Sequence, residues 1–289
     1  MKFSKWLIPQ LLIFLVLGFK LKLALAFFWI IIHEFIHYLI AVRLGADIKN
    51  LKLHFIGAAI EISDYEEFTL DEQIKICLAG PLFNLMCSIL FFLLYKFMGG
   101  TFFYSCFEIN LTLGIFNLLP CYPLDGARIL KYFLAKNKIY KKASNITSLV
   151  SYTLAFMFIL TFFIVWIEIH KLNITIFIMG IFSLYMTSIE KGKVMYVIMG
   201  DIIKKREKLI RNKYIDNRLI SIHYKDDLID ILGLTDKNKF NIFYVLDDNL
   251  KLMYILREDE LLEGLKIYGN ISLEEYYYTK NNKKINDGY

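Results

Sequence analysis

The sequence predicts an α-helical polytopic membrane protein, with about six transmembrane helices, a short membrane-associated β-hairpin and a small α/β soluble domain at the C-terminal end. Three observations lead there. Of the 289 residues 57% are hydrophobic, with a mean hydropathy of +0.46, where soluble domains sit at about 45–50% apolar. Apolar runs near the roughly 20 residues that cross a bilayer recur at 5–19, 23–42, 74–98, 101–119, 146–167 and 173–189. Charge concentrates at the other end: residues 201–289 hold 16 Lys+Arg and 16 Asp+Glu, out of 34 and 28 in the chain. The first 200 residues therefore carry 18 basic and 12 acidic groups, and with them the whole net charge of +6. That bias reads as membrane topology and excludes a nucleic-acid footprint. The expected division is a membrane body over 1–195, a basic linker over 196–212 and a soluble domain over 213–289.

Taken in order, the first run, "WLIPQLLIFLVLGF", follows Lys2 and Lys5. No small-residue cleavage site comes after it, so it is expected to stay as a first span. The second run contains "IIHEFIHYLI" at 31–40. After it, "NLKLHFI" and "AAIEIS" alternate in the manner of strands about Gly57, which predicts the hairpin, on the cytoplasmic side. Such backbone reaches membrane depth only where protein or a water cavity satisfies its polar groups. The fourth run is the least regular, because Pro120 and Pro123 in "NLLPCYPLDGAR" end a simple helix.

Orientation follows from basic residues. Arg128, Lys131, Lys136, Lys138, Lys141 and Lys142 follow the fourth run, and "EKGKVMYVIMGDIIKKREKLIRNK" follows the sixth. Both stretches are expected to be cytoplasmic, with the near-neutral "EIHKLN" outside. An even number of spans then places both termini in the cytoplasm of a multi-pass cell-membrane protein. Cys77, Cys87, Cys106 and Cys121 have no metal-type spacing and lie in or beside apolar runs, so they read as small buried hydrophobes.

The second run raises the chemical question. His33 and His37 are four residues apart, so on a helix both imidazoles leave one face and can share a metal ion. Glu34 is turned away from that line, placed to work on a water at the metal. Ionisable groups inside a membrane span are costly and functional by default. A catalytic zinc needs a third protein ligand and one open position. Asp125, between Pro123 and Gly126, is one candidate, and a helix N-cap before "ARILKYFL" is an equal reading of it. His54 in the strand-like stretch competes for the third position, whereas His170 and His223 lie in an outside loop and in the tail.

These residues carry a resemblance. "HEFIH", "AGPLFN" at 79–84 and "NLLPCYPLDG" at 117–126 resemble the signature set of the site-2 protease family of intramembrane zinc metalloproteases. The last motif of that family reads N-x-x-P-x-x-P-L-D-G, and Asn117, Pro120, Pro123, Leu124, Asp125 and Gly126 match it. The resemblance implies a metalloprotease domain over 1–195 that binds one zinc ion through His33, His37 and Asp125, with Glu34 catalytic. Ile36 and Ala127 stand where the family often has Gly, away from the metal. Asn84 and Asn117 are amides that would hold a substrate strand or the oxyanion, or equally form interhelical hydrogen bonds.

Six spans and a soluble tail are similar to the branch of the stage IV sporulation protease FB, which ends in a CBS domain. "NRLISIHYKDDLIDIL" resembles the opening strand and helix of a CBS motif, and "KFNIFYVLDDNLKLMYILREDELLEG" its hairpin and closing helix. At the positions that bind adenine nucleotide in that domain stand Tyr254, Arg257 and Glu260, so the resemblance does not carry ATP binding with it. A single copy implies pairing with a second chain, hence a homo-oligomer. The implied partners are the bilayer, membrane inhibitor or regulatory proteins, and a membrane-associated substrate: a sigma-factor precursor in this branch, an anti-sigma factor in another. That other branch carries a PDZ domain between its catalytic motifs, and none fits here. A membrane metal transporter or sensor is the reading from a different class, and Glu34 speaks against it, since a binding site needs no carboxylate beside its ligand pair.

Overall fold

The computed structural model describes residues 21–46, 51–53, 60–62, 68–170, 174–237 and 239–286. The chain divides into two compact units, Met1–Lys136 with Ile146–Ile189, and Asn137–Asn145 with Glu190–Tyr289. The first expected span, 5–19, and His54 lie outside the described residues.

The first unit is helical. It contains α1 (Leu21–Arg43), α2 (Leu70–Met98), α3 (Thr101–Asn117), α4 (Asp125–Ala135), most of α5 (Tyr140–Ile169) and the start of α6 (Ile174–Asn212). Among the described residues, four helices are long and apolar enough to cross a membrane: Lys22–Arg43, Leu70–Met98, Tyr140–Glu168 and Ile174–Glu207. The fourth expected run is α3, whose 17 residues extend about 25 Å at 1.5 Å per residue, short of those four. Large apolar side chains face outward, Phe28, Ile31 and Phe35 on α1 and Met86, Ile89 and Phe97 on α2 among them. An apolar surface of that extent suits lipid and not water.

Inside, Trp29, Cys106 and Ile109 pack with Leu25, Ile32, Phe83, Phe91 and Leu113, which joins α1, α2 and α3. Trp29 meets Phe91 edge-on at 5.4 Å, an arrangement that favours the ring quadrupoles. A capping box fixes the start of α2: Thr69 accepts from the Glu72 amide while Glu72 accepts from the Thr69 amide. The predicted hairpin is present as β1 (Leu51–Leu53) and β2 (Ile60–Ile62), antiparallel, with Lys52 opposite Glu61. Between α3 and α4 the chain turns through "LLPCYPL", with a cis bond at Tyr122–Pro123. Cys77, Cys106 and Cys121 are buried and Cys87 is half-buried, all as free thiols.

The second unit is built on a three-stranded sheet, β3 (Asn217–His223), β4 (Phe240–Leu246) and β5 (Leu252–Arg257), in spatial order β3-β4-β5. A short α7 (Leu228–Leu232) crosses between β3 and β4, which are parallel, and β4 and β5 form an antiparallel hairpin. Its turn uses Asp247, whose Oδ1 accepts from the amides of Asn249 and Lys251, the local bonding that suits Asp to turns. The helices α8 (Glu258–Tyr268) and α9 (Leu273–Asn286) follow. Burial alternates along β4, with Asn241, Phe243 and Val245 inward. Leu228, Ile231, Leu232, Leu256, Leu261 and Leu273 of the same unit are fully buried as well.

The basic stretch 196–212 belongs to α6 and is helical. Lys205 in this stretch belongs to a charged clamp inside the second unit. Lys205, 4% exposed, donates to Glu258 Oε2 at 2.8 Å and to the carbonyls of Asp236 and Lys239. Its three ammonium protons are thereby used. Asn241 donates to the same Glu258 oxygen from its amide and its side chain. Burial pushes the Glu258 carboxyl above its ordinary range, against the pull of Lys205 and Asn241.

Candidate metal centre

His33 and His37 leave one face of α1, as their spacing requires, with rings 4.7 Å apart at 81°. Their Nε2 atoms are 3.1 Å apart. Asp125 Oδ2 lies 3.2 Å from His33 Nε2 and 3.1 Å from His37 Nε2. His33 is 3% exposed, and the His37 and Asp125 side chains only 12% and 13%.

Hydrogen bonds behind the rings set their protonation. The Ile76 carbonyl on α2 lies 2.6 Å from His37 Nδ1. A carbonyl only accepts, so that nitrogen carries the proton and Nε2 presents its lone pair. For His33 the same outcome comes through two amides. Asn110 Nδ2 donates to the Cys106 carbonyl, which orients its amide, so Asn110 Oδ1 accepts from Asn84 Nδ2 at 2.8 Å. Asn84 Oδ1 therefore faces His33 Nδ1, at 2.7 Å. Asn84 and Asn110 are fully buried. The chain of bonds from Cys106 to His33 leaves one consistent direction for every proton.

Three acceptor atoms thus converge, two imidazole nitrogens and a carboxylate oxygen. A cation relieves their mutual repulsion, and the set suits zinc, which takes His nitrogen and Asp oxygen at about 2.0–2.2 Å. Tetrahedral ligands at that distance are roughly 3.3 Å apart, close to the 3.1–3.2 Å found here. His33, His37 and Asp125 are also the group of metal-capable side chains found among the described residues.

Backbone close approach makes the convergence possible. A Cβ on Gly80 of α2 would lie 2.7 Å from His33 Cε1 and 2.8 Å from His33 Nε2, and nearer still to His37 Nε2. Only glycine leaves the space. A Cβ on Gly126 would collide with the carbonyls of Leu118 and Leu119, so glycine there lets α4 start hard against the end of α3. Asp125 is the first residue of α4, but Leu124 stands at the N-cap and no side chain caps the helix. The Asp125 carboxylate is turned to the histidines and not used as a cap.

Glu34 is half-buried beside this group, with His37, Asp125, His33 and Arg128 as its electrostatic neighbours. Asn84 sits behind His33. Asn117 donates to the Leu113 carbonyl one turn earlier in its own helix. His170, exposed, follows α5, and His223 lies 2.9 Å from Asp248 in the second unit. Asn110, Gly80 and the Ile76 carbonyl were not singled out from the sequence. An Asn within an apolar helix was the available signal for the first, and the motif "AGPLFN" for the second.

The sequence pattern of peptidase family M50 matches residues 22–101 and 99–160, the stretch that holds all three metal-capable side chains and Glu34. Over that stretch the chain is similar to family M50. A zinc metalloprotease of Methanocaldococcus jannaschii is similar to the M50 region, 30% identical over 141 residues, which is 47% of this chain and 41% of the relative. Stage IV sporulation protein FB of Bacillus subtilis is 28% identical over 121 residues, 40% of this chain and 41% of the relative. The chain thus spans about two fifths of the length of both. A solved site-2 protease from Methanocaldococcus jannaschii covers 64% of this chain and 85% of its own, with a TM-score of 0.46 and 24% identity.

Proposed function

We propose that this chain is an intramembrane zinc metalloendopeptidase. It would cut a peptide bond in or near a membrane-associated segment of a regulatory protein. The observation that carries the reading is the convergence of His33, His37 and Asp125 on a point inside apolar helices, with Glu34 one residue from the first ligand. The match of residues 22–101 and 99–160 to family M50 supports it. Zinc held by those three residues supplies a Lewis acid and lowers the pKa of a water toward neutrality.

The remaining work falls to the chain's own groups. Asn84 and the Ile76 carbonyl hold both Nδ1 protons, so both Nε2 atoms stay available as ligands. Glu34 takes the proton of the attacking water and returns it to the leaving nitrogen. His33 stands 12 residues from the start of α1, about 18 Å along it; a peptide bond inside a helix is shielded, so the substrate segment must arrive extended and not helical. The β1–β2 hairpin offers an edge on which such a segment can add as a strand. Asn117 is assigned to that strand or to the oxyanion; Asn84, bonded to His33, acts on the ligand instead.

The substrate we assign is a sigma-factor precursor of the sporulation type, by the similarity to stage IV sporulation protein FB, in a multi-pass protein with both termini in the cytoplasm. The strand–helix–strand–strand–helix order of the second unit supports a CBS-like domain that pairs with a second copy. Tyr254 stacks on Tyr277 at 5.1 Å and donates to the Leu273 carbonyl, which speaks for packing and against ATP at that position. Co-expression with sigma-factor precursors is the test. The wild type should cleave one of them, and Glu34→Gln should retain fold and zinc but give no product. Undiminished cleavage by that variant would refute the mechanism.

A further inference from the structure

The backbone between α3 and α4 is irregular and is buried at Cys121 and Tyr122. At such a place every backbone polar group needs a protein partner, because no lipid can supply one. The partners come from two serines on other helices. Ser151 of α5 donates from Oγ to the Pro120 carbonyl at 3.3 Å and accepts from the Tyr122 amide at 3.2 Å. Ser183 of α6 donates from Oγ to the Tyr122 carbonyl. The Cys121 thiol lies 2.9 Å from Ser183 Oγ and 3.6 Å from the Ser151 carbonyl. Cys121, Tyr122, Ser151 and Ser183 are at most 1% exposed.

This anchored stretch leads directly into a metal ligand. Asp125 follows Tyr122 by three residues, with the Leu124 amide donating to Cys121 O and the Ala127 amide to Leu124 O. From Pro120 to the Asp125 carboxylate there is no freely rotating span of backbone: Gly126 is seated against the end of α3 and the loop is pinned at Pro120 and Tyr122. We propose that Ser151 and Ser183 are positioning residues for the metal centre, holding the Asp125 loop from α5 and α6 so that the carboxylate meets His33 and His37. They touch no ligand atom and act through Tyr122 and Pro120. Serine fits because one small hydroxyl can donate and accept at once inside a helix packing contact. The inference rests on the metal reading above.

The test uses the full chain purified in detergent, freed of metal and titrated with zinc against a competing chelator, then with cobalt(II) read by its visible absorption. Outer partners of metal ligands typically change affinity by about 10–100-fold. Ser151→Ala and Ser183→Ala should each weaken zinc binding by about tenfold and reduce the intense bands of four-coordinate cobalt. Ser151→Thr and Ser183→Thr, which keep the hydroxyl, should recover most of the loss. Ser88→Ala is the control, since Ser88 is equally buried but donates only to Leu85 O in its own helix. Zinc affinity in both alanine variants equal to wild type, whatever happens to the melting temperature, overturns the proposal, as does an equal loss in Ser88→Ala. If an alanine variant does not fold, the threonine variants decide it: zinc affinity within twofold of wild type supports the proposal, and a larger loss overturns it. A wild type that binds no zinc would instead overturn the functional reading, and shows itself before any variant is made.

Discussion

Gly80→Ala separates the metal centre from the fold that holds it. The added Cβ would lie 2.7 and 2.8 Å from two atoms of His33, and closer to His37 Nε2. Return to an ordinary contact of 3.4 Å moves the His33 ring by about 0.6–0.7 Å and His37 by more. Displacements of that size at a metal ligand cost about 10–100-fold in affinity and on the order of a hundredfold in rate when they approach 1 Å. The effect on the helix has the opposite sign: Ala in a helix interior is favoured over Gly by roughly 0.5–1 kcal/mol. The metal-free variant should therefore melt at or above the wild-type temperature, whereas zinc affinity, measured by chelator competition, falls at least tenfold. Zinc affinity within twofold of wild type would refute the close approach of α2 to the histidine pair. A lower melting temperature for the metal-free variant would show that the fold, and not the site, takes up the collision.

Other outcomes follow from the same geometry. Asn84→Ala removes the acceptor that fixes the His33 tautomer and should weaken zinc by about 10–100-fold, while Asn110→Ala should weaken it less; equal affinities in a zinc titration would remove the amide relay. Zinc at a hundred times its dissociation constant should stabilise the first unit by about 2.7 kcal/mol, read as a rise in melting temperature that a chelator reverses. Lys205→Met leaves Glu258 buried without its cation and should destabilise the second unit by roughly 3–5 kcal/mol near pH 7, seen as faster hydrogen exchange along β4. Burial already raises the folded Glu258 pKa, so its cost is present above that pKa and lifts as the pH falls through it. The deficit of Lys205→Met should close toward acid, and a deficit independent of pH would exclude Glu258 as its source.

Much of the centre was legible in the sequence because it is local. His33, Glu34 and His37 lie within little more than one helical turn, and the sequence neighbourhood of Asp125 carries its own punctuation in Pro123 and Gly126. The even choice between ligand and cap at Asp125 needed coordinates: Leu124 holds the cap position and the carboxylate points elsewhere. The hairpin was visible as alternation, and the strand–helix–strand–strand–helix order of the tail as short apolar runs separated by Asp and Asn. The rest depends on pairings across the chain. Asn84 meets Asn110 over 26 residues and His33 over 51, and no periodicity announces such a meeting. Gly80 matters only because α2 passes the histidines closely. The 196–212 stretch read as a basic linker, since a Lys held by the carboxylates of Glu258 and Asp201 and by two carbonyls looks, in sequence, like any surface Lys.

X-ray absorption at the zinc edge of the purified full chain tests the centre most directly. Two imidazole nitrogens and oxygen donors at about 2.0–2.2 Å are expected, with the signal lost or reshaped in Asp125→Ala. A sulfur donor near 2.3 Å, or a spectrum unchanged by Asp125→Ala, would contradict the assignment of His33, His37 and Asp125 as the ligands.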